Sequence, residues 1–123
     1  MGTATWTGEV AVRTHMARRH FISWMAAADL MIGNSSAGII EAASFGTPVI
    51  NVGSRQRLRE RNDNVTDSQA EPQPLRTAVA AALARGPRPA RNRYGDGQAG
   101  PRIVHFLETV VLDAAALAKC NAY

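Results

Sequence analysis

Residues 29–53 read DLMIGNSSAGIIEAASFGTPVINVG, and this stretch decides the fold. Its first five residues form an apolar run too short for a helix and suited to a strand buried in a parallel sheet. Residues 36–45 carry helical spacing, with Asn34 or Ser35 as the N-cap and Gly46 as the stop. Pro48 then enforces the break. Residues 49–52 (VINV) are rich in β-branched side chains and end at Gly53, which marks a second strand. Strand, helix and strand joined by short loops are the signature of a parallel α/β unit with right-handed crossovers.

Outward from this unit, residues 9–13 (EVAVR) alternate and predict a short strand. Residues 18–28 (RRHFISWMAAA) place Phe21, Ile22, Trp24, Met25 and Ala28 at helical spacing. Residues 53–64 form a charged loop, and residues 75–84 (LRTAVAAALA) a helix. Residues 86–101 are a Gly/Pro/Arg connector, and residues 103–119 a long final helix with a stripe at Ile103, Phe106, Leu107, Val110 and Val111. The strands expected are 9–13, 29–33 and 49–52. A complete sheet of this class has about five or six, so the expectation is a partial Rossmann-like parallel sheet with flanking helices.

The 123 residues suit one domain rather than two. No apolar run reaches the length of a membrane span. The opening MGTATWTGEVAVR lacks the charged-then-apolar layout of a signal peptide. The single cysteine, Cys120, leaves no internal disulfide and suits a reducing, cytoplasmic setting. It reads as a bystander near the chain end rather than a nucleophile. The net charge is +4, and every basic residue except Lys119 is an arginine. The few aromatics do not interleave with the arginines, so there is no base-stacking platform and nucleic acid is not expected. A basic cleft for a phosphorylated small molecule accounts for the charge equally well.

The turn at residues 34–38 is the first candidate site. Ligands of open α/β sheets bind beyond the carboxyl ends of the strands. A helix N-terminus there offers free N–H donors. Ser35 and Ser36 add hydroxyls, and Gly38 lets a ligand approach the backbone. A capped helix with nothing bound has the same pattern, and the pattern does not choose between them. Glu41, in the second turn, faces either solvent or a ligand cleft, where a carboxylate suits a ribose diol. The loop from Arg55 to Arg61 leaves the sheet at the same edge. Its arginines are either phosphate partners or a solvated charge run. His15, His20 and His105 fit no zinc spacing and read as structural or surface residues. No P-loop, GxGxxG or Ser-His-Asp layout is present.

Taken together, GNSSAGIIEAASFGTPVINVGSRQ (33–56), Asn64-Val65 and YGDGQAGPRIVHFL (94–107) resemble the UDP-N-acetylglucosamine 2-epimerases. More narrowly, they resemble the hydrolysing branch that serves sialic-acid synthesis, since the non-hydrolysing branch carries a DSGG-type turn. The resemblance runs over residues 14–107, and residues 1–8 match nothing. It implies a GT-B fold, with a UDP-sugar held between two Rossmann-like halves. By position, Ser35, Ser36 and Gly38 fall on the diphosphate turn and Glu41 on the ribose carboxylate. Arg55 falls on an arginine at the nucleotide, and Phe21 on the segment beside the uracil. The implied reaction eliminates UDP from UDP-N-acetylglucosamine and hydrates the glycal-like intermediate, giving N-acetylmannosamine and UDP.

The family's proton-transfer carboxylates and a functional histidine lie upstream of the matching region, so no catalytic residue is assigned in this chain. The resemblance therefore implies one truncated C-terminal UDP-binding domain over residues 1–123. Residues 9–66 would form the strand and helix core with the nucleotide site, and residues 67–123 the C-terminal helices and connector. The partners implied are UDP or UDP-N-acetylglucosamine, the missing N-terminal half or a partner chain, and a second copy of this chain. No nucleic acid, membrane, cofactor or metal is expected. A catalytically inactive UDP-binding module and a GT-B glycosyltransferase fragment are the alternative readings.

Overall fold

The computed structural model describes residues 8–118. Its elements, in chain order, are α1 (Arg18–Ala27), β1 (Met31–Gly33), α2 (Ser36–Ile40), a 3-10 helix (Ala42–Phe45), β2 (Val49–Val52), β3 (Val65–Ser68), α3 (Pro72–Arg85), α4 (Ala99–Thr109) and α5 (Ala114–Leu117). The three strands make one parallel sheet in the order β1-β2-β3. Met31, Val49 and Val65 share one register row, and Gly33, Asn51 and Asp67 another. The partial Rossmann-like sheet is therefore present.

Its membership differs from the sequence expectation. Residues 9–13 form no strand; Val10 and Val12 are exposed. Alternation alone does not make a strand, because the backbone groups need a neighbouring ladder, and none pairs with this segment among the described residues. The third strand is instead β3, whose sequence VTDS is too short and polar to stand out. It runs across residue 66, so the sheet extends beyond the segment 9–66. The connection from β2 to β3 is a turn-rich loop rather than a helix.

The helix expected over residues 36–45 splits into α2 and the 3-10 helix. The split frees the carbonyls of Ile39 and Ile40, which a continuous helix would have used. Side-chain amides take their place: Asn62 Nδ2 donates to the Ile39 carbonyl at 3.0 Å, and Asn92 Nδ2 to that of Ile40 at 2.8 Å. Asn62 is fully buried, as an unpaired helix-end carbonyl requires of its partner. Gly46 ends the 3-10 helix in the left-handed conformation at φ 70°. The connector crosses directly over it: Arg88 N–H donates to the Gly46 carbonyl at 3.0 Å, and an added Cβ would collide with the Arg88 backbone.

α2 lies against the sheet through Gly38, where a Cβ would come within 2.9 Å of Val49 Cγ1. The core on this face is Met25, Ala42 and Val49, with Phe21, Met31, Ala37 and Val65 packed around it. On the other side α3 packs against β2 and β3, turning its face of Leu75, Val79 and buried Ala82 inward. Pro72 sits at the first helical position, where its missing N–H costs nothing. The core is small. Among the described residues seven apolar ones are buried, of which Met25, Ile39, Val49 and Ile50 are larger than alanine, and each of these contributes about 1.5–3 kcal/mol.

The final helix is also divided. α4 ends at Thr109, Val110 turns extended, and α5 follows; Lys119 and Cys120 lie outside the described residues. α4 is amphipathic but buries nothing: Ile103, Phe106 and Leu107 are each at least 59% exposed. No described helix is long and apolar enough to cross a membrane.

Candidate functional site

The serine turn leaves β1 at its carboxyl end, the loop 53–61 leaves β2, and residues 69–71 leave β3. All three lie on one edge of the sheet, where α/β proteins hold ligands. Ser35 is the N-cap of α2, as one of the two sequence options had it. Its Oγ accepts the Ala37 N–H at 3.3 Å. That bond occupies an oxygen lone pair and leaves the hydroxyl proton free to donate outward. Ser35 is exposed and Ser36 half-buried. α2 has only five residues, so its macrodipole is small. What the turn offers an anion is local, in its hydroxyls and first-turn N–H groups.

Gly38, read in the sequence as letting a ligand approach the backbone, has a packing role in the structure. It is buried, and its missing side chain makes room for Val49. It serves the contact between α2 and the sheet, as the close spacing of helix and strand requires. Glu41 is partly buried and ion-paired: Arg18 Nη2 donates to its Oε2 at 2.8 Å. Arg55 is exposed and makes no hydrogen bond or ion pair among the described residues. Phe21 is half-buried against the core cluster on α1. The ion pair from α1 to Glu41 therefore links the helix carrying Phe21 to the helix carrying the serines.

The loop after β2 does more than carry charge. Gln56 is 5% exposed between exposed Arg55 and Arg57. Its Nε2 donates to the Asn34 carbonyl, at the start of the serine turn, at 2.9 Å. Arg61 is folded back over the loop and paired with Asp67 at 3.0 Å. Burial pushes the Asp67 carboxyl up, but hydrogen bonds from Arg61 and Asn51, with the Arg61 charge, outweigh it and hold it below the usual carboxylate range. Sequence reasoning missed Gln56, Arg61 and Asp67 as a group, since a charged loop reads alike whether its side chains fold inward or not. A cavity of about 610 Å³ opens beside them, lined by Ser54, Arg57, Arg61, Asp67, Ser68 and Glu71.

The YGDG segment has a structural part to play. Tyr94 Oη donates to the Glu60 carbonyl at 3.0 Å. Asp96 Oδ1 accepts the Gln98 N–H at 3.0 Å at the start of α4, and its two oxygens take both Arg102 nitrogens at 2.9 and 2.6 Å. The Arg102 guanidinium and this backbone donor hold the Asp96 carboxyl down to about 2. His15, His20 and His105 are exposed, and the described residues hold no group of three or more metal-ligating side chains.

The model of the family described as UDP-N-acetylglucosamine 2-epimerase matches residues 3–108. That match starts upstream of the region 14–107 and includes most of the opening residues that the sequence reading left unmatched. A UDP-N,N'-diacetylbacillosamine 2-epimerase (hydrolyzing) of Legionella pneumophila is 46% identical over 115 residues, 94% of this chain and 30% of that protein. A GDP/UDP-N,N'-diacetylbacillosamine 2-epimerase (hydrolyzing) of Campylobacter jejuni is 46% identical over 55 residues, covering 45% of this chain and 14% of that protein. A UDP-N-acetylglucosamine 2-epimerase of Neisseria meningitidis is 31% identical over 91 residues, 74% of this chain and 24% of that protein. The chain thus spans about a third or less of the length of these relatives. With the turn, the sheet edge and the family match in agreement, this chain belongs to the UDP-N-acetylglucosamine 2-epimerase family.

Proposed function

We propose that the chain is the UDP-binding part of a hydrolysing UDP-sugar 2-epimerase, a portion of the C-terminal half of its GT-B fold. One observation carries the reading: a serine-capped turn with an outward-facing hydroxyl stands at the carboxyl edge of a parallel sheet, in a chain of this family. Ser35 and Ser36, with the N–H groups of the first turn through Gly38, hold the diphosphate. Glu41, oriented by Arg18, accepts hydrogen bonds from the ribose diol through the oxygen that Arg18 leaves free. Arg55 reaches the nucleotide from the loop after β2, and the accessible part of Phe21 lies beside the uracil.

In the reaction the C–O bond between sugar and diphosphate breaks as a proton leaves the neighbouring carbon, and UDP departs. Water then adds to the glycal-like intermediate. Negative charge grows on the diphosphate as it leaves, so hydroxyl and N–H donors fixed beforehand stabilise the transition state more than the ground state. The proton-transfer groups come from a segment or partner chain other than this one. Alone, the chain binds UDP and turns nothing over.

UDP-N-acetylglucosamine is the first substrate reading, with N-acetylmannosamine as the product. A second follows from the relatives. Identity over nearly the whole chain is 46% to a protein named for UDP-N,N'-diacetylbacillosamine, against 31% over a shorter span to one named for UDP-N-acetylglucosamine. That favours a 2,4-diacetamido sugar over one with a free 4-hydroxyl. Equilibrium dialysis of the chain against UDP, UMP and uridine tests the binding reading. Affinity should fall at each phosphate removed; equal affinity for UDP and uridine would place no diphosphate at the turn.

A further inference from the structure

The serine turn has little to hold it in place from within. α2 is five residues long, and the one side-chain bond inside the turn, from Ala37 N–H to Ser35 Oγ, is long at 3.3 Å. A site that orients donors toward a leaving group needs support from surrounding residues. The structure contains a continuous hydrogen-bonded path that reaches the turn from the far side of the sheet. It begins at Asp67 on β3, whose Oδ1 accepts from Asn51 Nδ2, its buried register neighbour on β2, at 2.6 Å. Both Asp67 oxygens are gripped by Arg61, through Nε at 3.1 Å to Oδ2 and Nη2 at 3.0 Å to Oδ1. The remaining nitrogen, Nη1, donates to the backbone carbonyls of Gln56 at 2.8 Å and Arg59 at 2.6 Å. Gln56 then passes the constraint on, donating from Nε2 to the Asn34 carbonyl.

We propose that Gln56, braced by the Arg61–Asp67 pair, is a positioning residue of the serine turn: it fixes the Asn34 peptide and so aims the hydroxyls and N–H groups of Ser35 and Ser36. The consequence for ligand binding rests on the diphosphate reading above; the mechanical link does not. The chemistry of each member suits its place. A planar guanidinium meets a carboxylate on two atoms and has a third nitrogen left for carbonyls. A buried amide reaches one carbonyl acceptor while the exposed Arg55 beside it stays free for the nucleotide. The same contact also anchors the loop to the turn, and the two directions of control have different consequences. If Gln56 only anchors its own loop, its loss leaves the turn unchanged. If it positions the turn, its loss is felt at residues 34–38, which lie 18 to 22 positions away in sequence.

The test uses the 123-residue chain labelled with ¹⁵N, and reads backbone order parameters at residues 34–38 together with UDP affinity. Gln56→Met keeps the buried volume and removes the donor. Asp67→Asn keeps the size and releases Arg61. Thr47→Val is the control: it deletes a buried hydroxyl that donates to the Met25 carbonyl at 2.7 Å, outside this path. In Gln56→Met the order parameters at residues 34–38 should drop from about 0.85 toward 0.6. UDP affinity should weaken by about five- to ten-fold, the loss expected for one well-placed hydrogen bond. Asp67→Asn should move both readouts the same way by a smaller amount, and it stands in if Gln56→Met does not fold. Thr47→Val should lower Tm and move neither. Unchanged order parameters in both Gln56→Met and Asp67→Asn would overturn the proposal, as would an equal change in Thr47→Val. A turn that loosens in a chain whose wild type binds no UDP would uphold the positioning role and refute the diphosphate reading.

Discussion

On the proposed diphosphate reading Ser35 carries two duties through one hydroxyl, and they separate on mutation. As a cap it satisfies Ala37 N–H, and its loss costs about 1 kcal/mol of stability. As a donor to phosphate it is worth about 1.5–3 kcal/mol. Ser35→Ala should therefore lower stability slightly in urea melts while weakening UDP about ten-fold or more; loss of stability without loss of affinity would leave only the cap. Gly46 is a sharper case. Alanine there meets both a left-handed φ of 70° and the Arg88 backbone. Gly46→Ala should destabilise by about 2–3 kcal/mol in the same measurement, and a loss under about 0.5 kcal/mol would mean that the connector yields freely. Asp67 and Asp96 set the acid limb. Both carboxyls sit below their ordinary values, Asp96 at about 2, so the folded state favours their charged forms. Their contribution is full above the ordinary carboxylate pKa of about 3.9 and is lost as pH falls through the lowered values. The double change Asp67→Asn, Asp96→Asn should flatten the decline in stability below about pH 4.

Among the elements, those governed by local chemistry were legible in the sequence. β1, the start of α2, the end of the 3-10 helix and β2 follow from an apolar run, a cap, a glycine stop and a β-branched run, each a short-range signal. β3 was not legible, because four mixed residues become a strand only through pairing with β2. Residues 9–13 show the reverse: they have the right pattern and no partner. The serine cap of the turn and its position at the carboxyl edge of the sheet were readable in the sequence. Gln56 was not, since its burial depends on how the loop folds. The packing of Gly38 against Val49 was not legible either, because a glycine that admits a ligand and one that admits a neighbouring valine look alike in sequence. Gly38→Ala should consequently act on packing. A Cβ within 2.9 Å of Val49 should cost about 1–3 kcal/mol, and Gly38→Ala with Val49→Ala should recover part of that loss. Additivity of the two would contradict the packing role.

The whole molecule has a thin core and open surfaces. Among the described residues four large side chains supply most of the fully buried apolar volume, while β1 and β3 present sheet edges and α4 an uncovered apolar face. Unpaired edges and apolar stripes promote association. The sedimentation coefficient of the chain should rise with concentration, and Phe106→Asp should reduce that rise without lowering Tm, since Phe106 is 61% exposed. A monomer at all concentrations would contradict this. Even so, the carboxyl edge carrying the residues proposed to hold the nucleotide is assembled by contacts within the chain: Glu41 to Arg18, Gln56 to Asn34 and Arg61 to Asp67. The account therefore makes UDP binding a property of these 123 residues. Calorimetric titration of UDP into the folded chain, beside Ser35→Ala and Glu41→Ala, tests this most directly. The expected result is saturable binding by the wild type that is sharply weakened in both variants. A folded wild type that releases no heat of binding, or one whose affinity both variants retain, would contradict it.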